Sequence, residues 1–306
     1  MSASEVSDRA TAPISEEAFA ALRHTRQHDP DAISAALTAR QRRPFLDGDG
    51  RLFIVAADHP ARGSLGVRED PLAMASRYEL LQRLASALAR PGVDGVLATP
   101  DIVDDLALLG VLENKIAVGS MNRGGLRGAV FEIDDRYTGY DVAAMLAARI
   151  DAAKVLVRVD LQDASTARTL EATARAVTEA AFAKLPIMIE PFMSRTVDGK
   201  VANDLSTEAV IKSVAVASGL GTSSAYTWLK LPVVDDMERV MEATTLPTLL
   251  LGGDSGGDPD QLYSSWQSAL ALPGVNGLVV GRSLLYPADD DVVGAVDTAA
   301  ALVHGG

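Results

Sequence analysis

Eight short, wholly apolar runs, separated by alanine-rich stretches of helical character, constrain this sequence more than any other feature. They are LFIVAA (52–57), DGVLAT (94–99), KIAVGS (115–120), KVLVRV (154–159), PIMIEP (186–191), YTWLKL (226–231), PTLLLG (247–252) and NGLVVG (276–281). Unbroken apolar runs, as opposed to alternating ones, suit parallel strands covered on both faces. The intervals, mostly roughly 20–40 residues, leave room for a helix in each crossover. The stretches 71–89, 164–184 and 258–272 are nearly free of helix breakers beyond Pro259. Eight such units in about 250 residues predict a single TIM (β/α)8 barrel of α/β class. A doubly wound open sheet is the competing solution, but no G-x-G-x-x-G follows the first run, where a dinucleotide fold places one. The barrel is expected over 49–306, preceded by a polar tail and helical extension over 1–48. Within that extension Asp29–Arg43 has acids first, bases last and apolar residues at helical spacing, the order a helix dipole favours.

Composition narrows what such a barrel does. Lys and Arg number 28 against 41 Asp and Glu, a formal charge of −13. Such a surface repels polyphosphate, so no nucleic-acid partner is expected. With no Cys there is no disulfide framework, thiolate nucleophile or cysteine-ligated metal. Four histidines, His24, His28, His59 and His304, form no H-E-x-x-H pair, and no metal site is expected. The first residues lack the apolar core of a secretory signal, and no apolar run reaches the length of a membrane span. A cytoplasmic enzyme with no membrane partner is the expectation, as a homo-oligomer on general grounds.

In a TIM barrel the chemistry collects at the carboxyl ends of the strands. Asp58 and His59 follow the first run, Asn122 and Arg123 the third, and Arg158 and Asp160 end the fourth. Glu190 ends the fifth and Lys230 lies in the sixth; the seventh leads into Gly252-Gly253-Asp254-Ser255-Gly256 and the eighth into Gly281-Arg282-Ser283. Period-two geometry puts Tyr226, Trp228 and Lys230 on one face, so an ammonium would be held against aromatic neighbours. Desolvation and nearby cations there favour the neutral, nucleophilic amine. The plainer reading is a strand-end lysine that reaches solvent. Lys154, Leu156, Arg158 and Asp160 likewise share a face, where charges must be paired or ligand-bound. Arg158 paired with Glu190 or Asp58 would be simple barrel cement. Glu190 suits proton transfer if burial raises its pKa, or else is a salt-bridge partner of Lys230. Glycine-rich turns after the last two runs, with Arg282, predict a phosphate site, the alternative being a pocket for a neutral ligand.

The lysine in the sixth run, the glutamate ending the fifth, G-G-D-S-G after the seventh and V-x-G-R after the eighth resemble the class I aldolases. These are the Schiff-base enzymes of the deoxyribose-phosphate, tagatose-bisphosphate and archaeal-type fructose-bisphosphate group. The tagatose-bisphosphate branch is the most similar. Thr138–Asp141 matches its T-G-Y-D stretch, Ala152–Val157 its A-x-K-x-L-x strand, Leu229–Val233 its lysine strand and proline turn, and Asn276–Arg282 its N-G-V-x-x-G-R strand. The likeness runs from about residue 52 to 286. It implies Lys230 as Schiff-base lysine, Glu190 as the acid–base group, Lys154 as accessory lysine and Asp58 as the acid after the first strand. His59, Asn122, Arg123, Arg158 and Trp228 would contact substrate, and Gly253, Ser255, Gly256, Gly281 and Arg282 its phosphate, with no cofactor. Where the tagatose enzymes carry a tyrosine pair this chain has Arg158 and Val159. A further likeness to an actinobacterial set associated with inositol breakdown implies a phosphorylated keto sugar acid, 2-deoxy-5-keto-gluconate 6-phosphate, whose carboxylate Arg158 would suit. A phosphosugar isomerase or epimerase, or a non-catalytic phosphosugar-binding protein, would use the same loops without an imine.

Overall fold

Every residue of the strands within the first three runs is buried whichever way it points, which is why those runs carry no polar alternation. The computed structural model describes residues 14–253 and 258–305. Its strands are β1 (Leu52–Ala56), β2 (Gly95–Ala98), β3 (Ile116–Ser120), β4 (Ala152–Val159), β5 (Ile187–Val197), β6 (Lys200–Asn203), β7 (Thr227–Leu231), β8 (Thr248–Leu251) and β9 (Val275–Val280). All except β6 pair in parallel, in the ring order β1-β2-β3-β4-β5-β7-β8-β9, and the β1–β9 ladder closes a (β/α)8 barrel.

Around the barrel lie α1 (Glu16–His28), α2 (Asp31–Ala39), α3 (Arg77–Leu88), α4 (Pro100–Leu108), α5 (Val142–Ala147), α6 (Ser165–Ala183), α7 (Thr207–Ser218), α8 (Met237–Glu242), α9 (Pro259–Leu270), α10 (Arg282–Leu285) and α11 (Val292–His304). No helix among the described residues is long and apolar enough to cross a membrane.

Among the described residues two helices precede β1, and the second ends earlier than its charge pattern predicts. The helix stops at Ala39, and the bases beyond it leave the dipole to bind the amino-terminal ends of the strands. Arg40 Nη2 and Arg42 Nε reach the two oxygens of Asp151 at 2.7 and 2.6 Å, and Arg43 pairs with Asp94. Phe45 then meets Trp228 edge-on at 5.4 Å and closes the barrel floor. The extension therefore seals the end of the barrel opposite the expected site.

β5 also departs from the sequence reading. It runs through Pro191 to Val197 and turns back as β6, antiparallel, with Val197 opposite Lys200. Asp198 and Gly199 both take positive φ (50° and 74°), the conformation of a two-residue hairpin turn. The Asp-Gly pair was the available signal: it is one of the pairs that favour that turn most strongly, because glycine adopts positive φ without a Cβ clash.

Candidate active site

Period two stacks the barrel interior in layers. Trp228, Met188, Ala152, Val118, Ile54 and Val279 belong to an apolar floor. One step further along the strands, about 6–7 Å toward the carboxyl end, stand Lys230 on β7, Glu190 on β5 and Lys154 on β4, joined by Asp58 just past β1. These four are almost wholly buried, at 4%, 9%, 1% and 1% exposure, so their charges must answer one another. They do so as a chain. Lys230 Nζ donates to Glu190 Oε1 at 2.8 Å, and Lys154 Nζ lies 2.5 Å from Glu190 Oε2 and 3.1 Å from Asp58 Oδ2. Arg123 Nη1 at 3.2 Å and the Ser120 hydroxyl at 3.1 Å complete the shell of Asp58 Oδ2.

The electrostatics follow from this geometry. Burial opposes the charged form of Glu190, but Lys154 and Lys230 overcome it and hold the carboxyl well below its usual range. This reverses the rise expected from burial alone; a strand-end carboxylate flanked by two ammonium groups stays ionised. Asp58 behaves alike: burial works against ionisation, yet Arg123 and Lys154 hold it far below the ordinary value. Burial, then the neighbouring Arg123, lowers Lys154 against the pull of Asp58 and Glu190. His59 lines the same cavity. Burial brings it down to about 3, with Arg282, Lys230 and Arg123 adding to the effect over the opposition of Asp58. It is therefore neutral at neutral pH, with Nδ1 3.8 Å from Asp58 Oδ1.

Above this layer opens a cavity of about 810 Å3. Its described lining includes eight cationic side chains (Arg62, Arg123, Arg127, Lys154, Arg158, Lys200, Lys230 and Arg282) against three carboxylates, Asp58, Glu132 and Glu190. In a chain of charge −13 the mouth is thus a positive exception, suited to an anionic ligand. Gly252, Gly253, Gly281, Arg282 and Ser283 form one wall. Gly281 admits no side chain, since a Cβ would lie 2.4 Å from the Ala56 carbonyl oxygen. Ser255 and Gly256, also expected at the phosphate, lie outside the described residues.

Two predicted contacts, Trp228 and Asn122, and the expected pairing of Arg158 and facing of Asp160 turn out otherwise. Trp228 belongs to the floor and does not line the cavity, because it sits one period below Lys230. Asn122 is fully buried and uses its amide on the Leu156 backbone, donating to the carbonyl at 2.5 Å and accepting from the N–H at 2.8 Å. Arg158 does line the cavity, but it pairs with neither Glu190 nor Asp58: its Nη1 lies 2.5 Å from Glu132 Oε1. Asp160 leaves the barrel face altogether and accepts from Thr196 N on the β5 extension. Arg62, Arg127, Glu132 and Lys200 line the cavity but escaped prediction as contacts, since they come from loops and the hairpin, where side-chain periodicity gives no signal. Among the described residues no tyrosine lines the cavity, and no three His, Asp or Glu side chains are grouped to hold a metal ion.

Among curated proteins none matches the chain. The crystal structure of Cgl0159 from Corynebacterium glutamicum is 65% identical, with TM-score 0.94 over 96% of this chain and 99% of that one. An archaeal fructose-1,6-bisphosphate aldolase, solved with its catalytic Lys covalently bound to the carbinolamine intermediate, is 18% identical, with TM-score 0.62 over 89% of this chain and all of that one. A fructose-bisphosphate aldolase from Slackia heliotrinireducens is 15% identical, with TM-score 0.57 over 97% and 95%. The two aldolase likenesses show a shared fold. A family model described as Cgl0159-like matches residues 50–300, and on that match and the 65% identity the chain belongs to the Cgl0159-like family.

Proposed function

We propose that this protein is a class I aldolase that makes or breaks a carbon–carbon bond of a phosphorylated keto sugar through an imine on Lys230. The observation that carries the reading is the buried chain Lys230–Glu190–Lys154–Asp58 on the floor of a cation-lined cavity. The barrel shared with archaeal fructose-1,6-bisphosphate aldolases supports it.

In this mechanism Glu190, ionised at rest, takes a proton from Lys230, 2.8 Å away, only transiently, as the amine so freed attacks the substrate carbonyl. Glu190 returns the proton to the carbinolamine oxygen, water leaves, and a cationic iminium remains. A base takes the proton of the β-hydroxyl, the Cα–Cβ bond breaks, and its electron pair flows into the iminium to give an enamine. The hydroxyl-bearing carbon departs as an aldehyde. Protonation of the enamine and addition of water release the ketone and restore the amine. Asp58 and Glu190 are the carboxylates within the cavity nearest to this exchange, and Lys154 joins them so that a proton can pass along the row. The phosphate would lie against Gly253, Gly281 and Arg282, which holds the carbonyl over the amine; such positioning is worth several kcal/mol.

The finer proposal is a keto sugar acid phosphate, 2-deoxy-5-keto-gluconate 6-phosphate of inositol breakdown. An imine at its C5 directs cleavage between C3 and C4, giving dihydroxyacetone phosphate and malonic semialdehyde. Its terminal carboxylate would be read by Arg158, in the arginine-rich half of the cavity.

Borohydride reduction with dihydroxyacetone phosphate tests the chemistry. A stable mass adduct mapped to Lys230, absent from Lys230→Ala, is the expected result. Unmodified protein across a panel of phosphosugars that the enzyme converts would leave an isomerase, and unmodified protein with no conversion would leave a binding protein.

A further inference from the structure

Between β3 and α5 the chain folds back on itself. Asn122 bridges Tyr137 in antiparallel sense and Gly124 N donates to Arg136 O at 3.0 Å, so the base of this loop is closed. Its tip is poorly packed. Val130 is fully exposed, and Leu126 and Phe131 are close to half exposed, an arrangement with little apolar stabilisation. Arg127 ties the tip to the loop after β1, through its N–H to Arg62 O (2.9 Å) and its Nη1 to the Ser64 hydroxyl (3.1 Å). Packing resumes at Glu132 and Ile133, both buried, and the Ile133 carbonyl accepts from Thr169 Oγ1.

The group at the end of this tip is Glu132, turned into the cavity. Its Oε1 accepts from both Arg158 Nη1 (2.5 Å) and Arg62 Nη2 (2.7 Å), while Oε2 accepts from Gly128 N (2.7 Å). Its backbone carbonyl accepts from Arg158 Nη2 at 2.7 Å. Asp135 lies behind, 3.6 Å from Arg158 Nη2, and is held by Gly125 N. Two guanidinium groups converging on one carboxylate oxygen are the arrangement a bound carboxylate ligand requires. Here the protein itself supplies the carboxylate, next in sequence to the exposed Val130 and Phe131.

We propose that Arg62 and Arg158 form an anion subsite for the carboxylate end of the substrate, and that Glu132 is its resident occupant, displaced when substrate enters. Residues 126–132 are then a strap, latched in the empty enzyme and released by a ligand carboxylate. The proposal rests on the sugar-acid reading of the site and adds to it how the subsite is opened. A tethered carboxylate competes at a high effective concentration, so the closed latch weakens binding of any external carboxylate and selects against ligands too poor in contacts to displace it.

The test uses malonate, a small dicarboxylate that needs no turnover and no lysine adduct, so its outcome is independent of whether Lys230 forms an imine. Glu132→Gln removes the competing charge and nearly preserves side-chain volume. By calorimetry it is expected to bind malonate about tenfold or more tightly than wild type, as removal of an internal competitor requires. The gain should vanish in Glu132→Gln/Arg158→Leu. In wild-type protein, saturating malonate should speed amide hydrogen exchange across 126–132 and leave 142–147 unchanged. No gain in affinity, or a gain that survives loss of Arg158, would show Glu132 to be a fixed brace and overturn the proposal. Should Glu132→Gln not fold, the exchange measurement on wild type decides: unchanged protection of the strap under malonate overturns it equally.

Discussion

Removing Asp58 and removing Lys154 are predicted to have unequal consequences, although the two side chains touch and are equally buried. The cluster holds three cations, Arg123, Lys154 and Lys230, against two carboxylates, Asp58 and Glu190. Lys154→Met deletes one cation and leaves every remaining charge an opposite partner: Glu190 keeps Lys230 at 2.8 Å and Asp58 keeps Arg123 at 3.2 Å. The loss of its charged hydrogen bonds is partly offset by no longer burying an ammonium, so a cost of about 1–2 kcal/mol is expected. Asp58→Asn leaves the three cations facing one carboxylate and strips Arg123 of its ion-pair partner in the cluster. Breaking a buried pair in this way costs about 3–5 kcal/mol. Urea denaturation at pH 7 reads the difference, as a midpoint lower in Asp58→Asn than in Lys154→Met at similar slope. The pH dependence adds a second signature. Asp58 has its folded-state pKa depressed, so its contribution is present above the unfolded value near 4 and is lost as pH falls through the folded one. The gap between wild type and Asp58→Asn should therefore narrow below about pH 4. Equal midpoints, or a larger loss for Lys154→Met, would refute the charge balance on which the site is built.

Three other outcomes follow from the same structure. Arg282→Gln should raise the KM for phosphorylated substrate by about tenfold or more, because a charged hydrogen bond is worth about 1.5–3 kcal/mol; an unchanged KM would place the phosphate elsewhere in the cavity. Asp104 on α4 is raised to about 6 by burial first and by Asp105 and Asp101, against the opposing Arg26, so its folding contribution worsens as pH climbs from about 4 to 6. Asp104→Asn should raise the Tm at pH 7.5, and the gain should disappear near pH 4, a pattern that pH-independent stabilisation would contradict. Trp228→Ala should destabilise by about 3–5 kcal/mol through the cavity left beside Phe45, read by denaturation, while borohydride trapping on Lys230 persists; loss of trapping in folded protein would mean that the floor layer reaches the substrate.

The T-G-Y-D stretch shows how a motif and its meaning separate. Asp141 caps α5, its Oδ1 accepting from Ala144 N, and Tyr140 packs so closely against Gly119 that a Cβ there would lie 2.7 Å from its ring. Those residues set the path of the chain between β3 and β4 and do not line the cavity.

What the sequence determined by itself is what backbone geometry fixes over a few residues. Apolar runs of strand length dictated β1 to β4, the start of β5, and β7 to β9 within a few residues, and period two put Lys154 with Arg158, and Trp228 with Lys230, on common faces. What only the tertiary structure decided is which of those charges meet. Barrel closure brings Lys230 and Lys154 to the two oxygens of Glu190 and so keeps it ionised, against the rise that burial alone implies. It sets Trp228 in the floor, and it turns Arg158 toward Glu132, from a loop whose sequence has no periodicity to reveal it. Strand spacing and loop path are non-local, and a buried charge takes its character from whatever neighbour they bring within about 3–4 Å.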